Sequence, residues 1–248
     1  MRETQDFNSL YTTLNRQEES SRRRFFVRIK NMKKNKIAIY NGPGTQSIPD
    51  VESAFRMLKI SYVKLDKRGI KEKLNDFQVF LMPGGITEKY ISSLSKDNFY
   101  QIIREFISKG GKYIGICGGV YFASKDCIIL RKGKRVKARG LGIINVRCLR
   151  ETARRRPGRL RKIKLKKHRL TQGSPRELNI WYRNGPIIIP KKRVTVVANY
   201  ENNLGAIAFS KFGKGKVILI SPHPEGEFKK AHPKKLKTLN LLKNAIYY

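Results

Sequence analysis

The chain has few cysteines: Cys117, Cys127 and Cys148, with no two in a C-x-x-C pair. An odd, sparse set argues against a disulfide framework, and no Cys/His cluster has zinc spacing, so neither a metal nor another cofactor is expected. No apolar run approaches the roughly 20 residues that span a bilayer, and the polar N-terminus lacks the apolar core of a signal peptide. A reducing cytoplasm fits these absences, and no membrane partner is expected. Acidic residues are scarce as well. Against 55 Lys+Arg stand 18 Asp+Glu, for a formal net charge of +37. Self-repulsion on that scale costs stability unless a polyanion neutralises it. A lysine-rich heat-adapted composition is the alternative, but it raises Glu along with Lys and leaves the net charge modest. The basic excess therefore reads as a nucleic-acid footprint.

What is present is enough for a folded interior, with 40% hydrophobic and 10% aromatic residues. Residues 1–34 lack apolar periodicity until Phe25-Phe26-Val27 and carry Arg22, Arg23 and Arg24; they read as a basic N-terminal arm. Residues 35–248 read as one domain. Its first half alternates apolar strands (37–40, 62–65, 79–82, 113–116) with helices (51–60, 99–107), the pattern of a parallel sheet covered on both faces. Its second half reads as strands joined by short turns (141–149, 160–166, 178–183, 194–200, 205–211, 216–221), one hairpin turning at Gly213-Lys214-Gly215. A final helix is expected over about 234–246. The expected fold class is thus α/β, a mostly parallel central sheet flanked by helices, with basic β-rich insertions in the second half.

Those insertions are dense in charge. Residues 131–139 hold six basic residues in nine, among them Arg131, Lys132, Lys134 and Arg135. Residues 147–169 hold twelve Lys/Arg and one Glu, including Arg154, Arg155, Arg156, Arg159, Arg161, Lys162, Lys164, Lys166, Lys167 and Arg169. Such blocks are expected to protrude and to bind phosphates.

The strongest chemical motif is Gly115-Ile116-Cys117-Gly118-Gly119 after a buried strand. G-x-C-x-G is the cysteine form of a nucleophile elbow, in which only small neighbours permit the strained strand-to-helix turn. A helix N-terminus behind the thiol favours its thiolate. A buried structural cysteine is the plain alternative. Strand 217–220 then runs into Ser221-Pro222-His223-Pro224-Glu225, so an imidazole and a carboxylate two residues apart leave a strand end on one face. Pro83-Gly84-Gly85 follows a third strand, where exposed N–H groups suit an oxyanion.

The ordered set of a strand with P-G-G, then G-x-C-x-G, then H-P-E resembles class I glutamine amidotransferase-like domains, which have a flavodoxin-like architecture. Tyr40-Asn41-Gly42-Pro43-Gly44-Thr45, the run 118–123, and Trp181-Tyr182-Arg183-Asn184-Gly185-Pro186 resemble more narrowly the family named after the N-terminal domain of biotin–protein ligases. The resemblance implies Cys117 as nucleophile, His223 as base, Glu225 as its orienter, and Gly85 with Gly118, beside Gly84, as oxyanion backbone. It departs where amidotransferases follow the elbow with His-Gln, since Val120-Tyr121 stands here.

Two functions follow. One is an RNA-associated protein, with ribosomal RNA and neighbouring ribosomal proteins as expected partners. The other is a cysteine-dependent amidase or amidotransferase acting on a small-molecule amide through a thioester. The reading favours the first and leaves the second open on the same scaffold.

Overall fold

The computed structural model describes residues 36–131, 133–151, 156–226 and 237–248. The expected arm, with Arg22, Arg23 and Arg24, lies outside the described residues, as do Lys132, Arg154 and Arg155.

Five strands form the parallel centre: β1 (Ile37–Tyr40), β2 (Val63–Leu65), β3 (Val79–Met82), β4 (Lys112–Ile116) and β13 (Gly215–Ile220), in the order β2-β1-β3-β4-β13. Apart from the short edge strand β2, their residues are almost all buried, because helices cover both faces of a parallel sheet. Alternation along β1 sends Ile37 and Ile39 to one core cluster and Ala38 and Tyr40 to the other. The first cluster receives Val51 and Phe55 from α1 (Ile48–Leu58), and the second receives Ile70 from α2 (Lys67–Lys73), Tyr90 from α3 (Thr87–Leu94), and Ile103 and Phe106 from α4 (Phe99–Ser108). Helix α1 starts three residues before the expected Val51 because Pro49 is tolerated in a first turn. It ends where Lys59 turns left-handed, at φ +53°.

Beyond β13 the sheet is mixed, mostly antiparallel with one parallel step. Its hairpin partner is β12 (Gly205–Phe212), and the turn falls at Gly213 as expected. From β12 the order runs to β10 (Ile187–Pro190), β7 (Ile144–Leu149), β5 (Ser124–Arg131) and outermost β6 (Lys134–Ala138). A branch leaves β12 through β11 (Thr195–Tyr200) to β8 (Arg159–Leu165) and β9 (Glu177–Tyr182). The short helix α5 (Gly118–Ala123) links β4 to β5, and α6 (Leu239–Tyr247) packs Leu242 and Ile246 on the first core cluster. No helix among the described residues is long and apolar enough to cross a membrane.

The basic blocks correct one expectation. They do not simply protrude. Residues 144–149 and 159–165 are strands whose inward positions Cys148, Ile163 and Leu165 join the two core clusters. A strand separates its faces residue by residue, so charge at alternate positions is compatible with burial of the others. Lys162 and Lys164 face outward, both near Glu177. Likewise 134–138 is a strand, with Lys134 and Arg135 exposed and Val136 packed against the core.

Candidate active site

Strand β4 delivers Cys117 to a forced turn. Its φ is +48° and ψ −101°, a conformation few non-glycine residues adopt. The Cys117 N–H donates to the Ile220 carbonyl at 3.0 Å, tying the turn to the neighbouring strand end. Gly118 follows, and a Cβ there would lie 2.4 Å from the Gly85 carbonyl oxygen and 2.8 Å from its nitrogen. Only glycine lets these two backbones meet. The loop after β3 is held by a bridge to Thr45, in which Gln46 N–H donates to Gly84 O (3.1 Å) and Ile86 N–H to Gly44 O (2.8 Å). That bridge does not use the Gly85 N–H. Gly84 itself abuts the His223 ring, since a Cβ there would come within 2.7 Å of the His223 Cε1.

His223 leaves the end of β13, and its N–H donates to Trp181 O at 2.7 Å. Its Nδ1 lies 2.8 Å from Glu225 Oε1, and both side chains are buried. Burial works against the imidazolium, but the Cys117 sulfur and the Glu225 carboxylate outweigh it and hold the His223 pKa well above its ordinary value. Burial also raises the Glu225 pKa, with His223 only partly offsetting that cost. The other ring nitrogen, Nε2, is buried with no hydrogen-bond partner of sound geometry. Cys117 sits beside the ring, yet its Sγ hydrogen bonds to the Arg183 carbonyl at 3.3 Å. Cys117, His223, Glu225, Gly84, Gly85 and Gly118 thus lie together where the ends of β3, β4 and β13 meet.

A cavity of about 340 Å³ opens over this cluster, lined by Cys117, Gly85, Gly118 and His223 together with Arg150, Arg156 and Arg183. The sequence motifs do not mark Arg150, Arg183 or Asn184 as lining this site, and they lead one to expect Arg156 only among the phosphate-binding residues. Asn184 is left-handed (φ +60°), and its side chain joins separate segments. Its Oδ1 accepts from the Arg150 guanidinium at 3.3 Å and from the Arg156 N–H at 2.9 Å, while its Nδ2 donates to Arg156 O at 2.9 Å. The signal was the W-Y-R-N-G-P run itself. It stands out in the sequence, but nothing local says that it folds over Cys117.

The other basic candidates lie elsewhere. Arg161 is packed inward, its guanidinium 3.8 Å from the Tyr200 ring centroid and 3.3 Å from Glu151, so it holds structure. Arg159 also pairs with Glu151, at 3.5 Å. Lys166, Lys167 and Arg169 are exposed and line a separate groove with Arg176. For Arg131 only the backbone, in β5, is described.

The comparisons agree with this architecture. PurLQS from Thermotoga maritima superposes with a TM-score of 0.63 at 16% identity, over 85% of this chain and 98% of that one. A glutamine amidotransferase structure gives 0.62 at 17% identity, over 84% and 98%. At such identities the likeness concerns the fold. The biotin–protein ligase of Schizosaccharomyces pombe is 28% identical over 219 residues, covering 76% of this chain and 33% of the ligase, so the chain spans about a third of that relative's length. The family model described as biotin-protein ligase, N terminal, matches residues 35–246. With its glutamine amidotransferase-like fold, the chain belongs to the biotin–protein ligase N-terminal domain family.

Proposed function

We propose that this domain cleaves or transfers an acyl group at a C–N bond, with Cys117 as nucleophile. The observation that carries the reading is the pairing of a strained elbow cysteine with a buried imidazole whose far nitrogen is held by Glu225 and whose near nitrogen is unpartnered. Cys117 as thiolate adds to the substrate carbonyl, and the oxyanion lies against the backbone of Gly85 and Gly118. Collapse breaks the C–N bond, and the leaving amine takes a proton from His223 Nε2. Water, giving a proton back to His223, then hydrolyses the thioester to release the acid and restore the Cys117 thiolate beside the charged ring. The raised pKa of His223 favours this cycle, because it keeps the ring charged for its role as acid. Glu225 orients the ring and stabilises its charge. Iodoacetamide at neutral pH tests the reading. Cys117 is expected to alkylate well before Cys127 and Cys148, and His223→Ala to slow it by roughly tenfold or more. Equal, slow labelling of all three thiols would demote Cys117 to a structural residue.

The net charge of +37 favours a second role beside this one, association with RNA, ribosomal RNA and its proteins foremost. Exposed Lys166, Lys167 and Arg169 supply the described phosphate-facing surface. Co-sedimentation with ribosomes across a salt series tests it. Substituting these three with Gln is expected to flatten the dependence of log K on log salt by about 0.7–0.9 per lost phosphate contact. An unchanged slope, or no co-sedimentation at low salt, argues that the charge is compositional.

A further inference from the structure

We infer that the Cys117 cavity takes an anionic acyl substrate, one whose carboxylate or phosphate sits against Arg150 and Arg156; the inference rests on Cys117 being the nucleophile. Both arginines line the cavity, and they reach it from different places. Arg150 follows β7, and Arg156 precedes β8. The Asn184 side chain accepts from the Arg150 guanidinium and bonds to the Arg156 backbone, so it holds the first cation and anchors the segment that carries the second. Such preorganisation spares the ordering cost that weakens most exposed charge contacts. Burial holds the lining phenol of Tyr121 well above its ordinary pKa, and the nearby charge of Arg150 offsets only part of that rise.

A second observation points the same way. The first turns of α1 and α3, eleven and eight residues long, form part of the lining, and neither carries a side-chain cap. Helix starts present N–H groups and a partial positive charge. Into the same space opens His223, buried, with its Nε2 unpartnered. Two carboxylates, Asp50 and Glu88, also line the cavity. They belong to those same first turns and use up much of that partial charge, and the lining still holds three arginines, Arg150, Arg156 and Arg183, against these two carboxylates. A small organic acid derivative fits about 340 Å³, while a folded protein partner would have to insert a single side chain or terminus.

Two alkylating agents separate this inference from the reading beneath it. Each delivers a carbon to the Cys117 thiolate and releases iodide, but iodoacetate is anionic and iodoacetamide neutral. In the full chain, the iodoacetate-to-iodoacetamide rate ratio at Cys117 is expected to exceed that of free cysteine. Arg150→Gln with Arg156→Gln is expected to lower the ratio about fivefold. Arg156→Gln alone keeps the backbone bonds to Asn184 and is expected to lower the ratio part of the way, which guards against a misfolded double variant. Lys211→Gln with Lys214→Gln, at the hairpin away from Cys117, removes the same net charge and is expected to leave the ratio alone. Protection from iodoacetamide by glutarate would mark a carboxylate site, and protection by inorganic phosphate a phosphoryl site. A ratio untouched by the arginine changes, or lowered equally by the lysine control, overturns the anion site while Cys117 stays reactive. Indifference of Cys117 to both reagents removes the nucleophile, and the anion site falls with it.

Discussion

The chain holds only three histidines, so a proton titration can follow His223 with little overlap. Its ring is predicted to stay protonated to higher pH than an ordinary histidine, because Cys117 and Glu225 outweigh its burial. Cys117→Ala is therefore expected to move its midpoint downward, and Glu225→Gln to do the same through the other nitrogen. Ring NMR shifts check both, and a midpoint that ignores both changes means the three groups are not coupled. Burial pushes Cys127 up to about 11 and Cys148 higher still, which keeps both as thiols at neutral pH.

At the scale of elements, the end of β9 and the loop 183–186 after it do most to complete the site. In that loop Gly185 packs so closely that a Cβ would lie 2.1 Å from the Ser221 carbonyl oxygen, a backbone atom two residues before His223. Gly185→Ala is expected to cost about 1–3 kcal/mol in chemical denaturation and to slow Cys117 alkylation, since Arg183 O and Asn184 must shift. Loss of neither would mean the loop is not held as described. The parallel strands and the elbow were legible because their information is local: an apolar run, a glycine pair, a His and Glu spaced by two. The end of β9 and its loop were not, because their role arises from long-range contacts such as His223 N–H to Trp181 O. The strand 134–138 was missed for a different reason. Four of its five residues are lysine, arginine or alanine, poor strand formers, and the ladder to β5 overrides that preference.

For the molecule as a whole, one part-buried cation, Lys112, sets a pH signature. Burial lowers Lys112 to about 7, with Lys216 adding to the effect, while its Nζ donates to the Ile246 carbonyl on α6. The unfolded chain keeps that lysine protonated to about 10.4. Between these values the unfolded state binds more protons, so this group makes stability rise with pH, by up to about 1.4 kcal/mol per unit. The difference between wild type and Lys112→Met, from urea titrations at pH 7 and 9, isolates it from the thiols and phenols. A difference constant with pH would show that Lys112 is solvated. The outer strand β6 carries a consequence of another kind. Among the described residues nothing pairs with its outer edge, which is a template on which a second copy could extend the sheet, and the exposed Lys134, Arg135 and Lys137 line it. The same cations that read as a phosphate surface thus keep the protein apart from itself. Replacing the three with threonine is expected to turn a dispersed solution into one whose light scattering grows with concentration and time.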